Sequence, residues 1–299
     1  MGTIDAVDAA ASASPDEPRP QRVPVADGVE LAVTTWKAET GSGPSPFVLL
    51  HGIASTAVGW DGVAGRLVAA GRTVYTVDFR GHGQSDRPDE GYDLATFASD
   101  LIAVVDGLGL ARPILAGHSL GANVILEAVA RRPGIAAGVC LVEGGLVDAR
   151  DQFRSLDECL ASLALPPVSG LPLARLQGYL RQSHPGWSDL RLSAAIAAFD
   201  VHADGTVSWR LAGAGYEQLL RDLWAARVAS RWPAIRVPTL AVAADTGDEP
   251  WTTAKRAAEA EMRRAIPGVR IEWLTADHDV HTDRPDRIAD LLLEAFAGL

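Results

Sequence analysis

Pro113-Ile114-Leu115-Ala116-Gly117-His118-Ser119-Leu120-Gly121-Ala122-Asn123-Val124-Ile125-Leu126-Glu127-Ala128-Val129 carries three signals in order: an apolar run, a Gly-x-Ser-x-Gly pentapeptide and a helix-period segment. Strand, tight turn and helix in that order form the setting in which a serine is presented as a nucleophile at a strand end. Glycines flank the serine because such a turn leaves no room for a Cβ on either side, and the serine backbone is thereby held in strain. Ser119 is the candidate nucleophile.

Working outward, apolar runs recur at Phe47 to Leu50, Thr73 to Val77, Pro113 to Ala116 and Gly138 to Val142, and again at Thr239 to Ala243 and Arg270 to Leu274. Most are followed by a Gly- or Asp-bearing turn and a helical pattern, including Trp251 to Ile266 and Arg284 to Phe296. This is the βαβ rhythm of a mostly parallel central sheet flanked by helices. Continuous rather than alternating apolarity marks strands covered on both faces. Val29, Leu31 and Val33 alternate with polar or small residues, as a half-buried edge strand does.

The segment from 145 to 232 breaks the rhythm. Prolines and glycines interrupt helix-like stretches there, and it holds Trp187, Trp209, Trp224 and Trp232. It reads as a helical lid inserted into an α/β core of residues 23–144 and 233–299, behind a disordered tail of residues 1–22. Packing of the insertion onto the sheet is the ordinary role for each of these tryptophans.

The chain has 299 residues, 47% of them hydrophobic and 22% charged, with a net charge of −11. Length and composition fit one soluble α/β domain. The acidic balance argues against nucleic acid or an anionic membrane as partner and favours a small, neutral or apolar acyl substrate. Cys140 and Cys159 suggest neither a disulfide framework nor a metal site. The first residues lack the basic start and apolar core of a signal peptide, so a cytoplasmic address is expected. No phosphate-binding glycine loop and no metal-ligand spacing occurs, so no cofactor and no metal is expected. Oligomeric state leaves no trace in the pattern.

Four stretches together resemble the α/β-hydrolases from about Val23 to the C-terminus. They are His51-Gly52, Asp78-Phe79-Arg80-Gly81-His82-Gly83-Gln84-Ser85, the turn from Gly117 to Gly121, and Asp277-His278-Asp279-Val280-His281-Thr282-Asp283-Arg284-Pro285. A serine hydroxyl needs a neighbouring base, and His278, after the last predicted strand, falls at the same sheet edge as Ser119. The resemblance implies the same histidine. Asp277 and Asp283 depart from the glycine and glutamate usual in that stretch.

The resemblance also implies an acid in the turn after the preceding strand, Ala243-Ala244-Asp245-Thr246-Gly247-Asp248-Glu249-Pro250, where Asp248 matches best. Asp245 and Glu143 are the alternatives, Glu143 because some relatives draw their acid from the strand before the insertion. Backbone N–H groups of Ile53 and Leu120 are the expected oxyanion donors. Asp78 and Arg80 are expected to pair and brace loops, with Arg80 or Gln84 lining the substrate channel as the alternative. Structural roles are expected for His51 and His82, an orientation away from the pocket for His118, and a structural or hydrogen-bonding role for His281.

The expected activity is hydrolysis of a carboxylic ester or lactone through a Ser-His-Asp triad and an acyl-enzyme. Carbon–carbon bond or thioester hydrolysis on the same triad is the alternative within enzymes, and a ligand-binding receptor with little turnover is the alternative outside them.

Overall fold

A computed structural model describes residues 18–38, 45–245, 247 and 249–299. The chain runs β1 (Arg19–Ala26), β2 (Val29–Trp36), β3 (Phe47–Leu50), α1 (Asp61–Ala69), β4 (Val74–Val77), α2 (Leu94–Gly107), β5 (Ile114–His118), α3 (Leu120–Arg131) and β6 (Gly138–Val142). Then follow α4 (Leu156–Ser162), α5 (Leu173–Ser183), α6 (Asp189–Ile196), β7 (Phe199–Val201), β8 (Val207–Trp209) and α7 (Gly213–Ala225). The sheet resumes with β9 (Thr239–Asp245), α8 (Glu249–Ala265), β10 (Arg270–Thr275), α9 (Val280–Asp283) and α10 (Pro285–Ala295).

The main sheet has eight strands in the order β1-β2-β4-β3-β5-β6-β9-β10. Pairing is parallel from β4 through to β10 and antiparallel only at β1–β2 and β2–β4. Residues 145–232 leave after β6 and return before β9. They hold α4 to α7 and, beyond the helices expected, the short β7–β8 hairpin.

The continuous apolarity of the central strands now has its reason. Val48, Leu50, Leu115, Val139, Leu141, Ala241 and Ala243 pack into one core, with residues of α2 and α3. Their alternate neighbours Phe47, Leu49, Ile114, Ala116, Cys140, Val142, Leu240 and Val242 pack into a second core with α1 and α10 on the other face. Each fully buried Leu, Ile or Phe contributes about 1.5–3 kcal/mol, so neither face tolerates a polar alternation.

Two expectations need correction. The tail was expected to extend to residue 22, yet Arg19 to Arg22 belong to β1 and pair with β2. Two prolines and a mostly exposed surface disguise this strand, and both are permitted at a sheet edge. Arg80 does not pair with Asp78. Its guanidinium forks onto Asp100 of α2 at 2.6 Å on both oxygens, both side chains buried. Asp78 instead accepts the backbone N–H groups of Ala57 and Gln84, at 2.7 and 2.9 Å. Bracing of loops is the outcome, with different partners.

Among the described residues no helix is long and apolar enough to cross a membrane, and both cysteines are free and buried.

Candidate active site

Parallel strands put all their C-terminal ends on one edge, and every candidate residue that the structure describes collects there. Ser119 follows β5 with φ 51° and starts α3, its N–H donating to Val142 O at 2.9 Å. The flanking glycines are sterically required. A Cβ on Gly117 would stand 2.4 Å from the carbonyl carbon of Gly121, and one on Gly121 would stand 2.5 Å from Leu50 O. Among the described residues, only Ala54, Ser119 and Glu143 combine a side chain with positive φ. Such conformations persist only where surrounding structure holds them, and all three follow strands at this edge.

His278 follows β10, and its imidazole is half-exposed. Its Nδ1 lies 3.6 Å from Oε1 of Glu143, the residue after β6. That separation is longer than a hydrogen bond, and the pair must close by several tenths of an ångström to make one. Oε2 of Glu143 accepts the N–H of Ala244 at 2.6 Å, and Oε1 also accepts from Lys255 Nζ at 2.7 Å. Burial pushes the Glu143 carboxyl up. The contacts from His278, the Ala244 amide and the Lys255 ammonium outweigh it and hold the group below the ordinary carboxylate range.

Glu143, one of the two alternatives in the sequence reading, is the carboxylate that approaches His278 among the described residues. Asp248, the expected acid, lies outside the described residues. Asp245 ends β9, and its carboxylate accepts from the Gly247 N–H at 3.2 Å and the Thr252 hydroxyl at 3.4 Å. Ile53 and Leu120 are where the sequence located them, one in the loop after β3 and one at the first position of α3. No protein acceptor among the described residues takes the Ile53 N–H, and the first N–H of a helix has no intrahelical partner.

The other histidines build the floor. His118 is buried, its Nε2 bonded to the backbone O of His278 at 2.9 Å, so it steadies the loop that carries His278. His281 lies between Trp60 and His118, with ring centroids 4.6 and 4.2 Å away. Both its ring nitrogens are buried without a partner, so the hydrogen-bonding half of its expected role is not realised. Burial drives His51 and His118 down to about 4 and His82 to about 3, which keeps the three imidazoles neutral. His118, Asp279 and His281 offer ligand atoms within 4.8 Å of one another. The His118 and His281 rings are tilted by 32°, and Nε2 of His118 is bonded to the His278 carbonyl, leaving Nδ1 of His118 and both nitrogens of His281 without a partner among the described residues.

Arg191 escaped the sequence reading. Ser188 caps α6 by accepting the N–H of Arg191, and the helix sends the Arg191 guanidinium into the loop around His278. There it meets Asp283 directly, Asp277 at 3.6 Å and Asp279 at 3.8 Å, with its other face over the Trp187 ring. The two departures noted in the sequence, Asp277 and Asp283, are thus the anchors of the insertion.

Between insertion and core lies a cavity of about 260 Å³ whose lining includes Ala54, Ser55, Trp187, Arg191, Phe199 and Trp209. Ala54 and Ser55 directly follow Ile53, so the cavity adjoins the loop that carries the expected oxyanion donor. Of the four tryptophans, Trp187 and Trp209 line it, while Trp232 is buried and donates from Nε1 to Gly145 O at 2.9 Å.

A parallel sheet with a strained serine between a strand and a helix, and a histidine on the loop after the last strand, defines the class of α/β-hydrolases. The model of the alpha/beta hydrolase family matches residues 47–291, and the chain belongs to that family. An uncharacterized protein of Mycobacterium tuberculosis is 32% identical over 191 residues, 57% of this chain and 55% of that one. A non-heme chloroperoxidase of Streptomyces lividans is 35% identical over 121 residues, 40% of this chain and 43% of that one. The matched regions thus span about half the length of these relatives. The crystal structure of E-2-(acetamidomethylene)succinate hydrolase superposes with a TM-score of 0.77 at 24% identity, covering 94% of this chain and 100% of that chain, a likeness of fold.

Proposed function

We propose that the protein is a serine hydrolase that cleaves a carboxylic ester or lactone, with Ser119 as nucleophile, His278 as base and Glu143 as the acid behind it. The observation that carries this reading is the approach of Glu143 Oε1 to within 3.6 Å of His278 Nδ1, at the edge where Ser119 is held with φ 51°. A carboxylate behind the imidazole selects its tautomer and stabilises the positive charge it acquires.

In this reading Oγ of Ser119 attacks the carbonyl carbon while His278 takes the hydroxyl proton. The oxyanion is received by the N–H groups of Ile53 and Leu120, each worth about 100- to 1,000-fold if oriented well. Collapse expels the alkoxide, which leaves with the proton from His278 as an alcohol. Water, activated by the same imidazole, then releases the acid and restores Ser119. The tryptophan- and phenylalanine-lined cavity beside Ala54 supports an apolar acyl or alcohol group as the part of the substrate held under the insertion.

The test is labelling by a fluorophosphonate probe together with burst kinetics on p-nitrophenyl esters. Wild type should label and show a burst, and Ser119→Ala should lose both. Equal labelling of wild type and Ser119→Ala, or no labelling of a folded wild type, defeats the proposal.

A further inference from the structure

The chain contains two lysines, Lys37 and Lys255, among 27 basic residues. Lys37 is exposed, while Lys255 on α8 is buried with 5% of its side chain accessible. Among the described ion pairs, Lys255 is the one lysine that takes part, the others using arginine or histidine. Its ammonium donates to Oε1 of Glu143 at 2.7 Å and to the backbone O of Ala244. Oε1 of Glu143 is also the oxygen that faces Nδ1 of His278.

We propose that Lys255 is a positioning residue for the proton-transfer pair, gripping Oε1 of Glu143 so that the carboxylate stays charged and turned towards His278. The inference rests on reading Glu143 as the acid. Three features carry it. A carboxylate taken out of water takes up a proton unless charge or hydrogen bonds oppose it, and Lys255 supplies the only full positive charge bonded to Glu143 among the described residues. The ammonium is compact enough to sit between two acceptors that belong to different strands, β9 and the end of β6, where a planar guanidinium needs more room. Finally, α8 packs against β9, so the helix that seats Lys255 also fixes the strand whose Ala244 N–H holds the other carboxylate oxygen.

The titratable groups facing Glu143 are His118 at the end of β5, Lys255 on α8 and His278 after β10. Without Lys255, the pull of burial towards the neutral acid is opposed only by the Ala244 amide and His278. The carboxyl then becomes neutral at a higher pH, and a neutral acid cannot support an imidazolium.

The experiment compares pH profiles of kcat/KM on a p-nitrophenyl ester, and of the second-order rate of fluorophosphonate labelling, for wild type, Lys255→Met, Glu143→Gln and the double variant. In Lys255→Met the acidic limb should rise by about one to three pH units, with kcat lowered near pH 7 and KM little changed. A folded Lys255→Met whose limb coincides with wild type overturns the inference, because a lysine that merely braces α8 would change stability and leave the limb in place. Should Lys255→Met not fold, the double variant, which removes both buried charges, is read against Glu143→Gln alone. A residue acting only through Glu143 adds no further loss there, and an additive loss overturns the inference. If Glu143→Gln itself stays within tenfold of wild type, the acid assignment has failed. If Glu143→Gln loses activity while Lys255→Met keeps its limb, the role of Lys255 alone has failed.

Discussion

Replacing Glu143 by glutamine keeps the shape of the side chain and removes its charge, with two separable consequences. For catalysis, an amide can still accept the Nδ1 proton of His278 but cannot stabilise the imidazolium formed when Ser119 attacks. Losses of about 10³ to 10⁴ in kcat/KM are expected for such a change, equal to about 4 to 5.5 kcal/mol of transition-state stabilisation. For folding, Lys255 keeps its bond to Ala244 O but loses its counter-charge inside the protein. Breaking one partner of a buried pair costs about 3–5 kcal/mol. With an unfolding entropy of about 2.1 cal/mol/K per residue over a chain of this length, that lowers the melting temperature by about 5 to 8 °C. Burst kinetics at a temperature well below both melts, paired with thermal denaturation, separate the two effects. A folded Glu143→Gln that keeps kcat/KM within tenfold of wild type would refute the reasoning and send the acid role to Asp248 or Asp245.

Acidification should destabilise the fold through its buried imidazoles. His51, His82 and His118 are depressed to about 4, about 3 and about 4, against about 6.5 in an unfolded chain, so the unfolded state binds more protons below about pH 6.5 and stability falls with pH through that window. By pH 5 each forfeits about 2 kcal/mol, and a melting midpoint unchanged between pH 7 and 5 contradicts their neutral burial. Asp100→Ala strands the Arg80 guanidinium and should lower stability by about 3–5 kcal/mol in a urea titration. The double variant Arg80→Met/Asp100→Leu should lose less than that single one, and a larger loss would argue that the pair itself is strongly stabilising. Among glycines, Gly117→Ala should abolish soluble folded protein, since its Cβ would stand 2.4 Å from backbone, whereas Gly65→Ala in α1 meets open space. The latter should raise stability by about 0.5–1 kcal/mol, and thermal melts of both variants check the contrast.

The strained turn that holds Ser119 was legible because everything that defines it is local: a buried strand, two glycines and a helix within one stretch of chain. The place of His278 at the same sheet edge was legible from its position after the last apolar run. Which carboxylate approaches His278 was not, because β6 and β9 are neighbours in the sheet, and a carboxylate leaving the end of either enters the same space. Local pattern favoured the turn after β9, and the contact came from β6. Lys255 reads in sequence as one polar position of an amphipathic helix, and only the docking of α8 on β9 buries it. Arg80 had a nearby aspartate at Asp78, yet its partner is Asp100 on the following helix, which the twist of the chain brings closer. The β1 strand was hidden by its own prolines and exposure.

The grip of Arg191 on Asp277, Asp279 and Asp283 ties the inserted segment to the loop that bears His278. The unit that exchange between relatives must preserve is therefore discontinuous, pairing α6 with the stretch after β10. A chimera that receives a foreign insertion without a matching arginine leaves Asp277, Asp279 and Asp283 without the cation they share, and their mutual repulsion acts on the loop that carries His278.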